Sequence, residues 1–220
     1  MKNYRAVIFD WDGTLMDSTG SIAGALQAAC REMELPVPTL RDANWVIGLS
    51  LESALYRVAP TLDASRMPAF LDAYRRHFLS RDPHIGFFSG VPELLGELKQ
   101  KSILLGVATG KSRVGLDRAL DGHRMHDHFD CTRCADESGG KPQPGMLLHI
   151  MDRLGLQPDE VLMVGDTSHD VLMAHNAGVD ALAVTYGAHD LAALEQAAPV
   201  AMAHSVPEMR EWLAGRVAAG

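Results

Sequence analysis

Lysine is missing from the entire stretch between Asp17 and Leu98. No apolar run approaches the roughly 20 residues that a bilayer-spanning helix needs, and the N-terminus lacks the basic, apolar, small-residue order of a secretory signal. A cytoplasmic protein with no membrane association is therefore expected. Cysteine is scarce: Cys30, Cys131 and Cys134 are an odd number and supply no disulfide framework. Cys131-Thr-Arg-Cys134 has a metal-like spacing, but no second pair accompanies it, a closed zinc site takes about four ligands, and residues three apart on a strand face opposite ways. Basic excess is also absent. Lys plus Arg number 20 against 28 Asp plus Glu, a formal balance of -8, which argues against a nucleic-acid surface and favours cationic partners such as Mg²⁺. His123, His126 and His128 cluster, yet their spacing matches no common ligand pattern. With Asp121, Arg124 and Asp127 among them they read as an exposed loop.

What is present is an ordinary soluble composition, 47% hydrophobic and 22% charged over 220 residues, enough for one domain with an insertion or two unequal domains. The chain is organised around Val7-Ile8-Phe9-Asp10-Trp11-Asp12-Gly13-Thr14. An apolar run fit for a buried parallel strand ends there in two carboxylates on alternate residues. Behind it come helical patterns at Asp17 to Met33, Leu40 to Val46, Leu51 to Val58 and Ala64 to Leu79, separated by Pro36 and Pro38, Gly48, Pro60 and an Asp82-Pro83 turn. From about Gly86, strands and helices alternate. Strands are expected at Ile103 to Ala108, Phe129 to Arg133, Val161 to Val164 and Ala181 to Val184, with an edge strand near Val200. Helices are expected at Pro92 to Gln100, from Ser112, after Pro144, after Asp170, at Leu191 to Gln196 and from Pro207. The pattern predicts an α/β fold: a doubly wound, Rossmann-like parallel core from residues 1-15 and 86-220, with a helical subdomain of residues 16-85 inserted after the first strand.

In such a sheet the carboxyl ends of the strands share one edge, where ligands bind. Asp10 and Asp12 follow the first strand. Thr109 and Gly110 follow the second, as a helix cap or as a hydroxyl and amide that hold an anionic oxygen. Lys141 stands in the loop Gly139-Gly140-Lys141-Pro142, as a solvated surface lysine or a positioned cation. Asp166 and Asp170 follow a fourth apolar strand, where either could serve only the next helix. Taken together, carboxylates at one edge call for a cation, and Mg²⁺ suits a few oxygen ligands. A hydroxyl, amides and one lysine opposite them suit a phosphoryl group.

The four stations together resemble the haloacid dehalogenase superfamily of phosphatases. Asp10-Trp-Asp12-Gly13-Thr14 is similar to its first motif, Thr109-Gly110 to its second, Lys141-Pro142 to its third and Gly165-Asp166-Thr-Ser-His-Asp170 to its fourth. The segment from Lys141 to Gly187 looks most like the phosphoglycolate phosphatase group. The resemblance implies that Asp10 is nucleophile and metal ligand, and that Asp12 is general acid and base with its main-chain carbonyl on the metal. It makes Asp166 a second carboxylate ligand and Asp170 a support of the metal shell. Thr109, the Gly110 amide and Lys141 would bind phosphate. The implied activity is Mg²⁺-dependent hydrolysis of a small phosphorylated metabolite through an aspartyl-phosphate, in a monomer or weak homodimer. A sugar phosphomutase on the same fold and a non-catalytic phospho-ligand binding module remain the alternatives. The inserted residues 16-85 are similar to the family's helical cap; the resemblance then makes their lack of lysine an argument against a phosphonate hydrolase, and Asp12 one against a dehalogenase.

Some residues depart from the pattern or stand beside it. Position 110 is glycine where relatives often carry asparagine, which leaves only an amide. Trp11 packs on the cap or a neighbouring loop, or fills the core. Gly48-Leu49-Ser50 is a turn that reaches over the substrate, or a plain connection capped by Ser50. His169 reaches the metal's water shell or faces solvent.

Overall fold

Short apolar runs form one parallel sheet in the computed structural model, which describes residues 3–81 and 85–217. The chain runs β1 (Ala6–Phe9), α1 (Thr19–Glu32), α2 (Leu40–Trp45), α3 (Leu51–Val58), α4 (Met67–Leu79), α5 (Val91–Gln100), β2 (Leu104–Thr109), α6 (Arg113–His123) and β3 (Cys131–Cys134). It continues through α7 (Ala135–Ser138), α8 (Gly145–Leu154), β4 (Val161–Gly165), α9 (Ser168–Asn176), β5 (Asp180–Val184), α10 (Leu191–Gln196), β6 (Ala201–Ala203) and α11 (Val206–Ala214). The strand order is β3-β2-β1-β4-β5-β6, and every pairing is parallel. This is the doubly wound order, with its reversal beside β1. The expected Asp82-Pro83 turn lies outside the described residues.

Alternation along β1 divides the core. Val7 and Phe9 join Leu94, Leu98, Leu116 and Met209 on one face of the sheet, so α5, α6 and α11 cover that side. Ala6 and Ile8 join Ile150, Val171, Ala174 and Leu194 on the other, covered by α8, α9 and α10. Both faces of β1 are thus removed from water, and its four residues are all apolar for that reason. Trp11 is a core filler rather than a contact to the inserted helices: it is buried and meets Phe87 and Phe129 edge-on, with ring centres 6.0 and 6.1 Å away.

The third strand begins two residues later than the sequence suggests. Phe129 is drawn onto Trp11, while the Asp130 carboxylate accepts from the Leu105 amide at 2.8 Å in place of a ladder bond. Cys131 and Cys134 pack into opposite core faces and both are free thiols, as a strand dictates. The four-residue α7 was not anticipated, because so short a segment carries no periodicity.

Between β1 and α5 the described chain contributes helices, α1 packing against α4 and α2. Departing and returning strands of chain are pinned side by side: the Asp17 amide donates to Gly86 at 2.9 Å and the Phe88 amide to Leu15 at 3.0 Å. No helix of the described residues is long and apolar enough to cross a membrane.

Packing at the sheet centre is tight enough to dictate a glycine. A Cβ at Gly106 would lie 2.6 Å from Cδ1 of Ile8 and 3.1 Å from the Cys131 carbonyl. Gly106→Ala is expected to destabilise the protein by about 1–3 kcal/mol in urea unfolding. Adding Ile8→Val, which deletes the clashing methyl, should recover part of that loss; strictly additive effects would refute the contact.

Candidate active site

The β1 and β4 termini are neighbours because Phe9 pairs with Val164, and the Asp10 amide donates to the Val164 carbonyl at 2.8 Å. This register sets Asp10 beside Asp166 and Asp170. One carboxylate oxygen from each of the three lies within 4.8 Å of the others, and all three residues are buried. Lys141 enters from the loop before α8, its side chain fully buried, with Nζ 2.6 Å from Asp10 and 2.7 Å from Asp170. It is a positioned cation, not a surface lysine.

Most carboxylate oxygens here are engaged. Asp166 accepts from the Thr14 hydroxyl at 2.8 Å and from the Ala188 amide at 2.7 Å. The second oxygen of Asp170 accepts from the Thr167 hydroxyl at 2.6 Å and the Thr167 amide at 3.1 Å. The Oδ2 of Asp10 is buried with no hydrogen-bond partner among the described residues. Burial raises the Asp10 carboxyl well above its usual range, against the pull of Lys141 and with the push of Asp170 and Asp166. Burial, followed by Asp170, pushes Asp166 up to about 7, opposed by its bonds from Ala188 and Thr14. Burial works against the charge on Lys141, but Asp10 and Asp170 outweigh it and raise its affinity for the proton.

Asp12 points elsewhere. Its oxygens go one to the Ser18 hydroxyl at 2.7 Å and one to Lys111 Nζ at 2.9 Å, so its side chain is not among the clustered carboxylates. Sequence reasoning had missed both partners. Lys111 follows Thr109-Gly110 directly and was legible as a cation at a strand end. Ser18 stands at the N-cap of α1 without making a side-chain cap bond, because its hydroxyl serves Asp12 instead.

Thr109 closes β2 and is buried; its hydroxyl accepts from the Lys111 amide at 3.2 Å. It is not the helix cap, a place taken by Ser112, whose side chain accepts from Gly115. Gly110 lies under the turn between α2 and α3, where a Cβ would come within 2.5 Å of the Gly48 and Leu49 carbonyl oxygens. Ser50 caps α3 by accepting from Ser53 at 3.2 Å, and the Gly48-Leu49-Ser50 turn comes down onto the sheet edge at Gly110. His169 does not face solvent. It is buried and, with His189, donates from Nε2 to the Trp45 carbonyl, at 2.9 and 3.0 Å. The Ser168 amide donates to His189 Nδ1 at 3.1 Å, which leaves Nε2 as the proton-bearing nitrogen. The Trp45 ring stacks on His189 at 4.5 Å. Burial lowers both imidazoles, that of His189 to about 4 with a further push from His169. His123, His126 and His128 do not converge on a common point: His126 pairs with Asp121 at 2.8 Å and His123 packs on Phe87.

The model of the haloacid dehalogenase-like hydrolase family matches residues 7–184, from β1 through β5. The chain belongs to that family. It is 36% identical over 209 residues to a protein named probable phosphatase IndB from Dickeya dadantii, covering 92% of this chain and 90% of that one. It is 33% identical over 205 residues to a protein named phosphoglycolate phosphatase from Vibrio vulnificus, covering 84% and 86%. A solved structure of a haloacid dehalogenase-like family hydrolase from Streptococcus pneumoniae superposes with a TM-score of 0.81 at 25% identity, covering 95% and 98%. In this haloacid dehalogenase-like chain a cavity of about 1060 Å³ is lined by Asp10, Asp12, Thr109 and Lys111 together with residues of α1, α3 and α4.

Among the described residues Lys141 is the one cation paired with the carboxylate cluster. Lys141→Met should destabilise the metal-free protein at neutral pH by about 3–5 kcal/mol, since it strands two buried carboxylates. A urea-unfolding loss below about 1 kcal/mol would show that they do not depend on it.

Proposed function

We propose that this protein is a Mg²⁺-dependent phosphomonoester hydrolase that acts on a small phosphorylated metabolite through an aspartyl-phosphate on Asp10. The observation that carries this reading is the buried Asp10 carboxylate, held at one oxygen by Lys141, unpartnered at the other, and facing a cavity large enough for a substrate. The names of the phosphatase relatives support it, as does the family. In this reading residues 16-85 act as a cap on the core, and the protein works in the cytoplasm as a monomer or weak homodimer.

Three buried carboxylates against one ammonium leave an uncompensated negative charge, and the free Asp10 oxygen is a ready ligand, so the donor set fits a hard divalent cation. Asp10 and Asp166 would hold Mg²⁺ with the main-chain carbonyl of Asp12, and Asp170 would support the shell. When bound, the ion would neutralise carboxylate charge and polarise the phosphoryl oxygens.

Asp10 attacks phosphorus, forming a P–O bond as the ester P–O bond breaks. Asp12 gives its proton to the departing alkoxide. Water then attacks the aspartyl-phosphate while Asp12, now a carboxylate, takes the water's proton; inorganic phosphate leaves and Asp10 is restored. Ser18 and Lys111 fix Asp12 by one oxygen each. The Thr109 hydroxyl, the Gly110 amide and the remaining proton of Lys141 hold phosphoryl oxygens, and Lys141 keeps the attacking carboxylate oriented.

Released inorganic phosphate tests the reading. With Mg²⁺ the protein should hydrolyse a phosphomonoester, and excess chelator should stop it; no release from a broad metabolite panel would refute the assignment. Asp10→Asn should bring turnover to background with the fold retained, and retained activity would remove Asp10 as nucleophile. Asp12→Asn should lower kcat by about 10²- to 10⁴-fold. Mg²⁺ should raise Tm in the wild type and much less in Asp10→Asn, which checks the ligand assignment independently of activity.

A further inference from the structure

We infer that the natural leaving group is an uncharged, bulky apolar or aryl-bearing alcohol rather than a small carboxylated one such as glycolate. The inference rests on the hydrolase reading and deepens it. Asp10, Asp12 and Thr109 line the same cavity as the helices of residues 19–79, so the group esterified to the phosphate projects into that space. Its volume of about 1060 Å³ stands at the upper end of pockets that enclose drug-sized ligands, which run to roughly 1,000 Å³. A two-carbon acid would leave most of it unfilled.

The walls are apolar: Leu26 from α1, Leu55 from α3, and Met67, Leu71 and Phe78 from α4, with Tyr74 beside them. A carboxylate placed against these side chains would lose its water and would gain a partner only by drawing Lys111, Arg118 or Arg75 of the lining away from its present neighbours. The cations around the cavity each have a neighbour. Lys111 is held by Asp12 at 2.9 Å and lies 5.0 Å from the centre of the Phe78 ring. Arg118 lies over that ring at 5.8 Å, and Arg75 is 62% exposed and 3.6 Å from Asp72. Glu52 and Asp136 also border the space and would repel a second negative group. Apolar surface is what this cavity rewards, and flat groups fit against the Tyr74 and Phe78 rings, which are themselves stacked at 6.1 Å.

Phosphate esters of primary alcohols test this with leaving-group chemistry held similar. Full-length protein with Mg²⁺ is given ethyl, benzyl, 2-naphthylmethyl and 4-carboxybenzyl phosphate, and phosphoglycolate. We expect kcat/KM to rise about 10- to 100-fold from ethyl to benzyl and further to naphthylmethyl, and to fall at least about tenfold when the benzyl ring carries the carboxylate. A flat series, or phosphoglycolate turned over as well as benzyl phosphate, would overturn the inference. Leu71→Glu, at a half-buried wall position, should bring the benzyl-to-ethyl ratio near one while Leu71→Met preserves it; an unchanged ratio in Leu71→Glu counts against the assigned wall. The same order of affinities should appear when the esters bind Asp10→Asn in calorimetry. No phosphate release from any ester therefore condemns the hydrolase reading alone, whereas equal binding of ethyl and benzyl esters condemns this one.

Discussion

A single ammonium, that of Lys141, stands between Asp10 and Asp170 where water does not reach. Such a charge is tolerable only because two carboxylates face it, and they in turn are tolerable only with a cation present. The fold supplies the coincidence. Parallel pairing of β1 with β4 brings Asp10 level with the turn that carries Asp166 and Asp170, and the Gly139-Gly140 loop delivers the lysine. The surrounding chain yields space to these carboxylates: a Cβ at Gly13 or Gly187 would run into Asp166, and one at Gly165 into Asp170. The glycines of this edge are therefore consequences of close carboxylate packing, and Gly13 also needs its positive φ of 85° to turn the chain away from the strand.

The inserted helices meet this edge through main-chain carbonyls and through side chains, the Trp45 ring stacking on His189 and the Phe78 ring lying beneath Lys111. One carbonyl, that of Trp45 at the end of α2, receives protons from both His169 and His189, and the carbonyls of Gly48 and Leu49 close over Gly110. His169 sits next to Asp170 in sequence, so the same short helix start that presents a carboxylate to Lys141 also grips the helical segment. Phe78 of α4 belongs to both the cavity wall and the junction, since Lys111 and Arg118 lie over its ring.

How much of this was legible in the sequence follows from burial. Strands covered on both faces are unbroken apolar runs, so β1, β2, β4 and β5 were readable, and with them the positions just beyond their ends: Asp10, Thr109 and Asp166. The third strand, Cys-Thr-Arg-Cys, is half-buried for three of its four residues and carries no such run; its start was misplaced. Lys141 was readable as a cation restrained by glycine and proline, though its full burial was not. Ser18, Lys111, Trp45 and His189 escaped because each acts across a turn or across elements distant in sequence, and no periodicity records a contact between Trp45 and a residue 144 positions away.

Gly110 shows how a sequence departure acquires a physical reason only in three dimensions. Read along the chain, glycine at this position is a missing side-chain donor for phosphate. In space it is the site where two carbonyls of the overlying turn come too close for any Cβ, so the donor was exchanged for a close approach of the helical segment. In the proposed reaction that leaves the amide as the sole contact from this residue, and an amide is insensitive to what is attached beyond the phosphate. In the same proposal Thr109 and Lys141 are directed at the phosphoryl group. Discrimination between substrates must then arise on the other side of the ester oxygen, among the helices that the turn at Gly48 and Leu49 draws down over the sheet edge.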